Sequence, residues 1–75
     1  MNPDELVAEI FRLQMERRPD TDPGDLTIVI DVQDDSALHV VTQQYSFGGI
    51  TDPFLGVGGS IQAALEVALE KVRRG

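Results

Sequence analysis

The chain contains no cysteine, a single histidine, and no lysine or arginine between Pro19 and Glu70. Without cysteine, disulfide staples and thiolate metal sites are excluded. His39 alone, with only carboxylates to help it, does not make a zinc site of any usual ligand set. No run approaches the ~18–20 consecutive apolar residues that span a bilayer. The start, Met1-Asn2-Pro3-Asp4-Glu5, is acidic and has neither the basic region nor the apolar core of a signal peptide. These absences predict a cytoplasmic protein with no membrane partner, no metal and no cofactor.

The 75 residues form one small domain, 1–75. A chain this short buries only ~60–65% of the surface its unfolded form exposes, so its core is thin. Well-formed helices or self-association must supplement it. Six basic and thirteen acidic residues leave a formal charge of −7. The basic residues cluster at Arg12, Arg17, Arg18, Lys71, Arg73 and Arg74, while Asp20, Asp22, Asp25, Asp31, Asp34, Asp35, Asp52, Glu66 and Glu70 fill the stretch between Pro19 and Glu70. Such a surface repels phosphate and attracts cationic partners.

Local signals predict an α+β chain. Asn2 is a good N-cap, Pro3 suits a first helical position, and Glu5 completes a capping box. Leu6, Ile10 and Leu13, widened by Val7 and Phe11, make an apolar stripe. Arg17 and Arg18 suit the last turn and Pro19 lies beyond it, so the helix runs from about Pro3 to Arg17. Pro19 to Asp25 is turn chemistry. Leu26–Val32 alternates as a strand, with Leu26, Ile28, Ile30 and Val32 on the core side.

Gln33-Asp34-Asp35-Ser36 predicts a hairpin turn, and a second strand continues from Ala37 to about Phe47. Leu38 and Val40 alternate on one side there, but Tyr45 and Phe47 have the opposite parity. A bulge near Thr42-Gln43-Gln44 brings both sets to the core side; without it Tyr45 and Phe47 face outward. Gly48–Pro53 reads as a loop, and Phe54–Val57 as a weak third strand. Ser60 caps a final helix whose stripe is Ile61, Ala64, Leu65, Ala68, Leu69 and Val72. The predicted architecture is α-β-β-(β)-α, a small antiparallel sheet with two helices packed on one face. Its other face is expected to carry Thr27, Val29, His39, Val41 and Gln43, and no lysine guards the strand edges.

Few residues suggest chemistry. Gly56-Val57-Gly58-Gly59-Ser60 opens a helix and is a candidate anion site, though it lacks a phosphate-loop lysine. The same glycines serve equally a strand and helix in close approach. Asp20–Asp25 resembles a calcium loop without its bidentate glutamate. No serine, carboxylate and oxyanion donor group around His39, so no catalytic residues are expected and the chain reads as a non-enzyme.

The run Gly56-x-Gly58-x-Ser60-x-x-x-Ala64-x-x-x-Ala68, with the element order, resembles the C-terminal half of a double-stranded-RNA-binding domain. In that family the helix carries a lysine cluster that grips phosphates. Here the matching positions are Ile61, Gln62 and Leu65, so the resemblance implies the fold and not the RNA contact. In outline the order also resembles the small antitoxin subunits of bacterial toxin–antitoxin pairs.

The expected function is a non-enzymatic, acidic protein-interaction or regulatory module. It is expected to self-associate, as a homodimer, and to present carboxylates to a basic protein partner as an inhibitor does, with no nucleic acid involved. The expected surface comprises Val29, Asp31, Asp34, Asp35, His39, Val41 and Gln43. The alternatives are a degenerate double-stranded-RNA-binding-like domain with residual nucleic-acid contact, and a small anion binder at the glycine loop.

Overall fold

The computed structural model describes residues 1–17, 22–45 and 55–74. Helix α1 spans Pro3–Arg17, strand β1 Leu26–Gln33, strand β2 Leu38–Tyr45, strand β3 Gly56–Gly58 and helix α2 Ile61–Arg74; a single 3-10 turn, Pro23–Asp25, leads into β1. The strands form one antiparallel sheet in the order β1-β2-β3. Both helices lie on one face of it. The α-β-β-β-α order is therefore the expected one, with the third strand formed.

Helix α1 starts where its capping box predicts. The Glu5 N–H donates to Asn2 Oδ1 at 2.8 Å, and the Asn2 N–H donates to Glu5 Oε1 at 3.2 Å. This reciprocal pair satisfies two donors that the first helical turn otherwise leaves open. Ser60 caps α2 from one side only, accepting the Ala63 N–H on its Oγ at 3.0 Å. The core joins Leu6 and Ile10 of α1, Val41 of β2, Leu55, and Ala64, Leu65, Ala68, Leu69 and Val72 of α2, with Val7, Leu13, Ile28 and Ile30 packed partly against it. Ile61, expected on the same stripe, is 41% exposed.

The β1–β2 hairpin runs in unbroken register from Leu26 opposite Tyr45 to Gln33 opposite Leu38. No bulge interrupts the stretch from Thr42 to Gln44, which decides between the two arrangements the sequence left open; Phe47 and Phe54 lie outside the described residues. The four-residue turn Asp34–Ala37 sets this register. It places Ile30 opposite Val41 and Ile28 opposite Gln43. His39, Val41 and Gln43 of β2, not Leu38 and Val40, therefore share the helix side with Ile28 and Ile30.

β3 explains the glycines. A Cβ on Gly56 falls 2.6 Å from the Ala68 backbone nitrogen and closer still to the Ala64 carbonyl oxygen. One on Gly58 falls 2.6 Å from the Ala64 nitrogen and 2.9 Å from the Ala63 Cβ. Helix α2 thus lies directly on the β3 backbone, alanines against glycines, at a separation no side chain on β3 permits.

Candidate interaction surface

On the helix side of β1, burial falls from Leu26 to Val32. Leu26 is buried, Ile28, Val29 and Ile30 are half-buried, and Thr27, Asp31, Val32 and Gln33 are exposed. The cause is where the helices sit. Helix α2 packs chiefly on β3 and on α1, while β1 contacts mainly β2. Ile28, Ile30 and Val32 are therefore only partly roofed, and Val32 is left 52% exposed on the helix side of the sheet.

β1 is also an outer strand, with β2 as its neighbour. Its backbone orientation follows from the centre of the sheet. The Leu55 N–H donates to the Val41 carbonyl at 2.8 Å, which turns the backbone polar groups of Val41 towards β3. Ile30, opposite Val41, then occupies a non-hydrogen-bonded position of the β1–β2 ladder and points its own N–H and C=O away from β2. Ile28 and Val32 share that orientation by alternation. Among the described residues nothing pairs with these outward groups. β1 carries no proline or lysine, two devices that commonly guard such an edge.

Carboxylates flank the edge. Asp31 is exposed near its middle, Asp22 is exposed just before it, and Asp34 and Asp35 are exposed in the turn that follows it. Asp34, Asp35 and Ser36 have φ of 50°, 52° and 75°, a left-handed stretch. Three of the arginines are engaged elsewhere. Arg12 pairs with Glu9 and Glu16, Arg74 with Glu70, and Arg17 donates to the Val72 carbonyl. The hydrogen bond from Arg12 is the main cause holding the Glu9 carboxyl below its ordinary value, and Glu9 in turn raises Arg12.

Of the residues expected at the surface, Val29, Asp31, Asp34 and Asp35 sit together on the β1 side. The other three do not join them. Val41 is 0% exposed, at the centre of the core. Gln43 is 3% exposed and accepts a 2.8 Å hydrogen bond on its Oε1 from the side-chain amide of Gln14. His39 is half-buried opposite Val32 and Gly58, its Nδ1 enclosed without a hydrogen-bond partner. The register turns all three to the helix side, where neither Val41 nor Gln43 is within reach of a partner. The side away from the helices carries Leu38 and Thr42 of β2 beside Val29, with Val57 of β3, 44% exposed, next to Val40, which is itself buried at 5%.

Gln14 escaped the sequence reading, although a signal existed. It stands four residues after Ile10 and eight after Leu6, on the apolar stripe of α1, so a polar side chain there needs a buried partner.

Among the described residues no group of three or more histidines, aspartates or glutamates is arranged to hold a metal ion, and no helix is long and apolar enough to cross a membrane. A shallow depression between the helices is lined by Met1, Leu6, Glu66, Leu69, Glu70 and Arg73. Its carboxylates are already engaged, Glu66 by Gln62 and Glu70 by Arg74. No family model, curated protein or solved structure matches the chain.

Proposed function

We propose that the chain is a non-enzymatic module that binds a basic protein through the β1–hairpin side of its sheet. One observation carries this reading. An outer strand without edge protection, half-roofed on its apolar side, runs between exposed carboxylates with no lysine or arginine in residues 19–70. Charge of one sign beside an apolar strip steers an oppositely charged partner and leaves it an apolar surface to bury.

The test is to follow backbone amide NMR signals as a lysine-rich peptide is added. Shifts concentrated on β1 and on Asp34–Ala37, weakening as salt rises, support the proposal. Shifts confined to other parts of the chain, or no shifts at all, would remove the proposal.

Self-association through the same strand is the second reading, favoured by its unprotected edge. It brings Asp34 and Asp35 of one copy towards the aspartates at the start of β1 of the other when two β1 strands pair antiparallel. A homodimer of this kind strengthens with added salt, whereas binding of a basic partner weakens.

A further inference from the structure

We infer that the basic partner is bound as an added strand: an extended segment, alternating apolar and basic, pairs antiparallel with β1 and becomes the fourth strand of the sheet. This rests on the proposed function and specifies how the contact is made.

Two features of β1 coincide on the same residues. Ile28, Ile30 and Val32 direct their backbone N–H and C=O outward, away from β2. The side chains of these residues also form the partly roofed apolar row, open furthest at Val32. Residues directly opposite in an antiparallel pair share a face of the sheet. An incoming residue that hydrogen-bonds to Ile28 or Ile30 therefore lays its side chain on the helix side, where an apolar group extends the core. Its neighbours, one position either way, fall on the other side beside Thr27, Val29 and Asp31. A basic residue there meets Asp31, and basic residues at the strand's ends meet Asp22 at one end and Asp34 and Asp35 at the other. The pattern demanded of the occupant is thus set by the parity of β1, and its charge by the aspartates.

Charge also decides between occupants. A second copy supplies a suitable apolar row, because Ile28 opposite Ile30 and Leu26 opposite Val32 are good cross-strand pairs. In that arrangement, however, Asp34 and Asp35 of each copy approach Gly24 and Pro23 of the other, and so lie close to its Asp22. Like charges meet at both ends. A cationic strand has the same backbone and apolar complement and replaces that repulsion by attraction.

The probe is a capped peptide of four valine–lysine repeats, titrated by NMR and calorimetry against the intact chain. Two versions carry N-methyl groups, either on the central valines or on the central lysines. The expected result is that valine N-methylation weakens binding by about tenfold or more, since it removes the donors that face β1 and puts a methyl in their place. Lysine N-methylation, which alters only outward amides, is expected to change affinity by less than about threefold. Ile30→Pro, which deletes an outward N–H without touching the β2 ladder, is expected to mimic valine methylation, and Asp31→Lys to weaken binding in low salt.

Equal affinity for all three peptides overturns strand addition while leaving an acidic surface that binds basic proteins. Absence of binding by any of them overturns both readings. A particle of twice the chain's mass whose formation excludes the peptide shows that the second copy holds the edge, and overturns the inference too.

Discussion

The side-chain amide of Gln14 on α1 donates to Gln43 Oε1 on β2 at 2.8 Å, and these residues retain only 6% and 3% of their exposure. This polar bridge sits at the seam between helix and sheet, in a core otherwise built from leucine, isoleucine, valine and alanine. A buried amide left without its partner forfeits its hydration with nothing in return. Gln43→Leu alone should therefore cost about 1–3 kcal/mol, by stranding the Gln14 amide. The double variant Gln14→Leu/Gln43→Leu should recover most of that loss. Denaturant melts of both singles and the double give the coupling energy, and a double variant no more stable than the worse single would contradict the pairing.

Gly56 should tolerate no side chain. Its Cβ position overlaps the backbone of α2 at Ala64 and Ala68, which cannot rotate aside as a flexible side chain does. Gly56→Ala forces the helix off the strand and should destabilise by about 1–3 kcal/mol, the usual scale of overpacking. Gly59 has open space around the corresponding position, so Gly59→Ala should change stability by less than about 0.5 kcal/mol. Similar thermal midpoints for both variants would show that α2 does not lie on β3 as described.

The two sides of α2 should respond differently to truncation. Leu65 is fully buried and Glu66 is exposed. Leu65→Ala should cost ~2–5 kcal/mol, and in a domain this small that approaches the whole stability. Glu66→Ala, which loses only an exposed contact with Gln62, should stay within about 0.5 kcal/mol of the parent. Circular dichroism melts separate the outcomes, with Leu65→Ala expected to be largely unfolded.

Ser36 holds the highest positive φ of the hairpin turn, 75°, without the glycine that adopts it at no steric cost. Ser36→Gly relieves strain of about 1–2 kcal/mol and adds unfolded-state entropy worth about half of that, so a net gain of up to about 1 kcal/mol is expected. A rise in the thermal midpoint tests it. A fall would mean that the serine hydroxyl contributes more to the turn than its backbone costs.

Double-stranded RNA should not bind. The first turns of α2 present Ile61, Gln62 and Leu65, of which Leu65 is buried, in place of a phosphate-gripping lysine cluster. A gel-shift assay at about 150 mM salt should show no complex at micromolar protein. A complex that weakens steeply as salt rises would contradict this.

Much of the fold is written in short-range signals. Asn2 and Glu5 are three residues apart and start α1 by bonding each other, and Ser60 caps α2 by accepting the Ala63 N–H. The alternation of Leu26, Ile28, Ile30 and Val32 identifies β1 and its inward side. The 3.6-residue period from Ala64 to Val72 identifies the buried face of α2. In each case the residues that interact are near neighbours in the chain, so their pattern carries the whole instruction.

β2 is different. It places Val40 beside Val41, both buried, one towards each side of the sheet. No local pattern says which of them meets the helices. The four-residue turn at Asp34–Ala37 settles it by pairing Ile30 with Val41, and Gln14 supplies from a distant helix the partner that lets Gln43 face inward. A side chain such as Gln43 reads as surface from the sequence because its burial depends on a hydrogen bond from a residue 29 positions away. The amino-acid sequence by itself determined the two helices, the first strand, the order of elements and the acidic charge. Only the tertiary structure decided which side of the central strand became core, why Gly56 and Gly58 must be glycine, and that no other described strand pairs with the outer edge of β1, since each depends on what another element brings alongside.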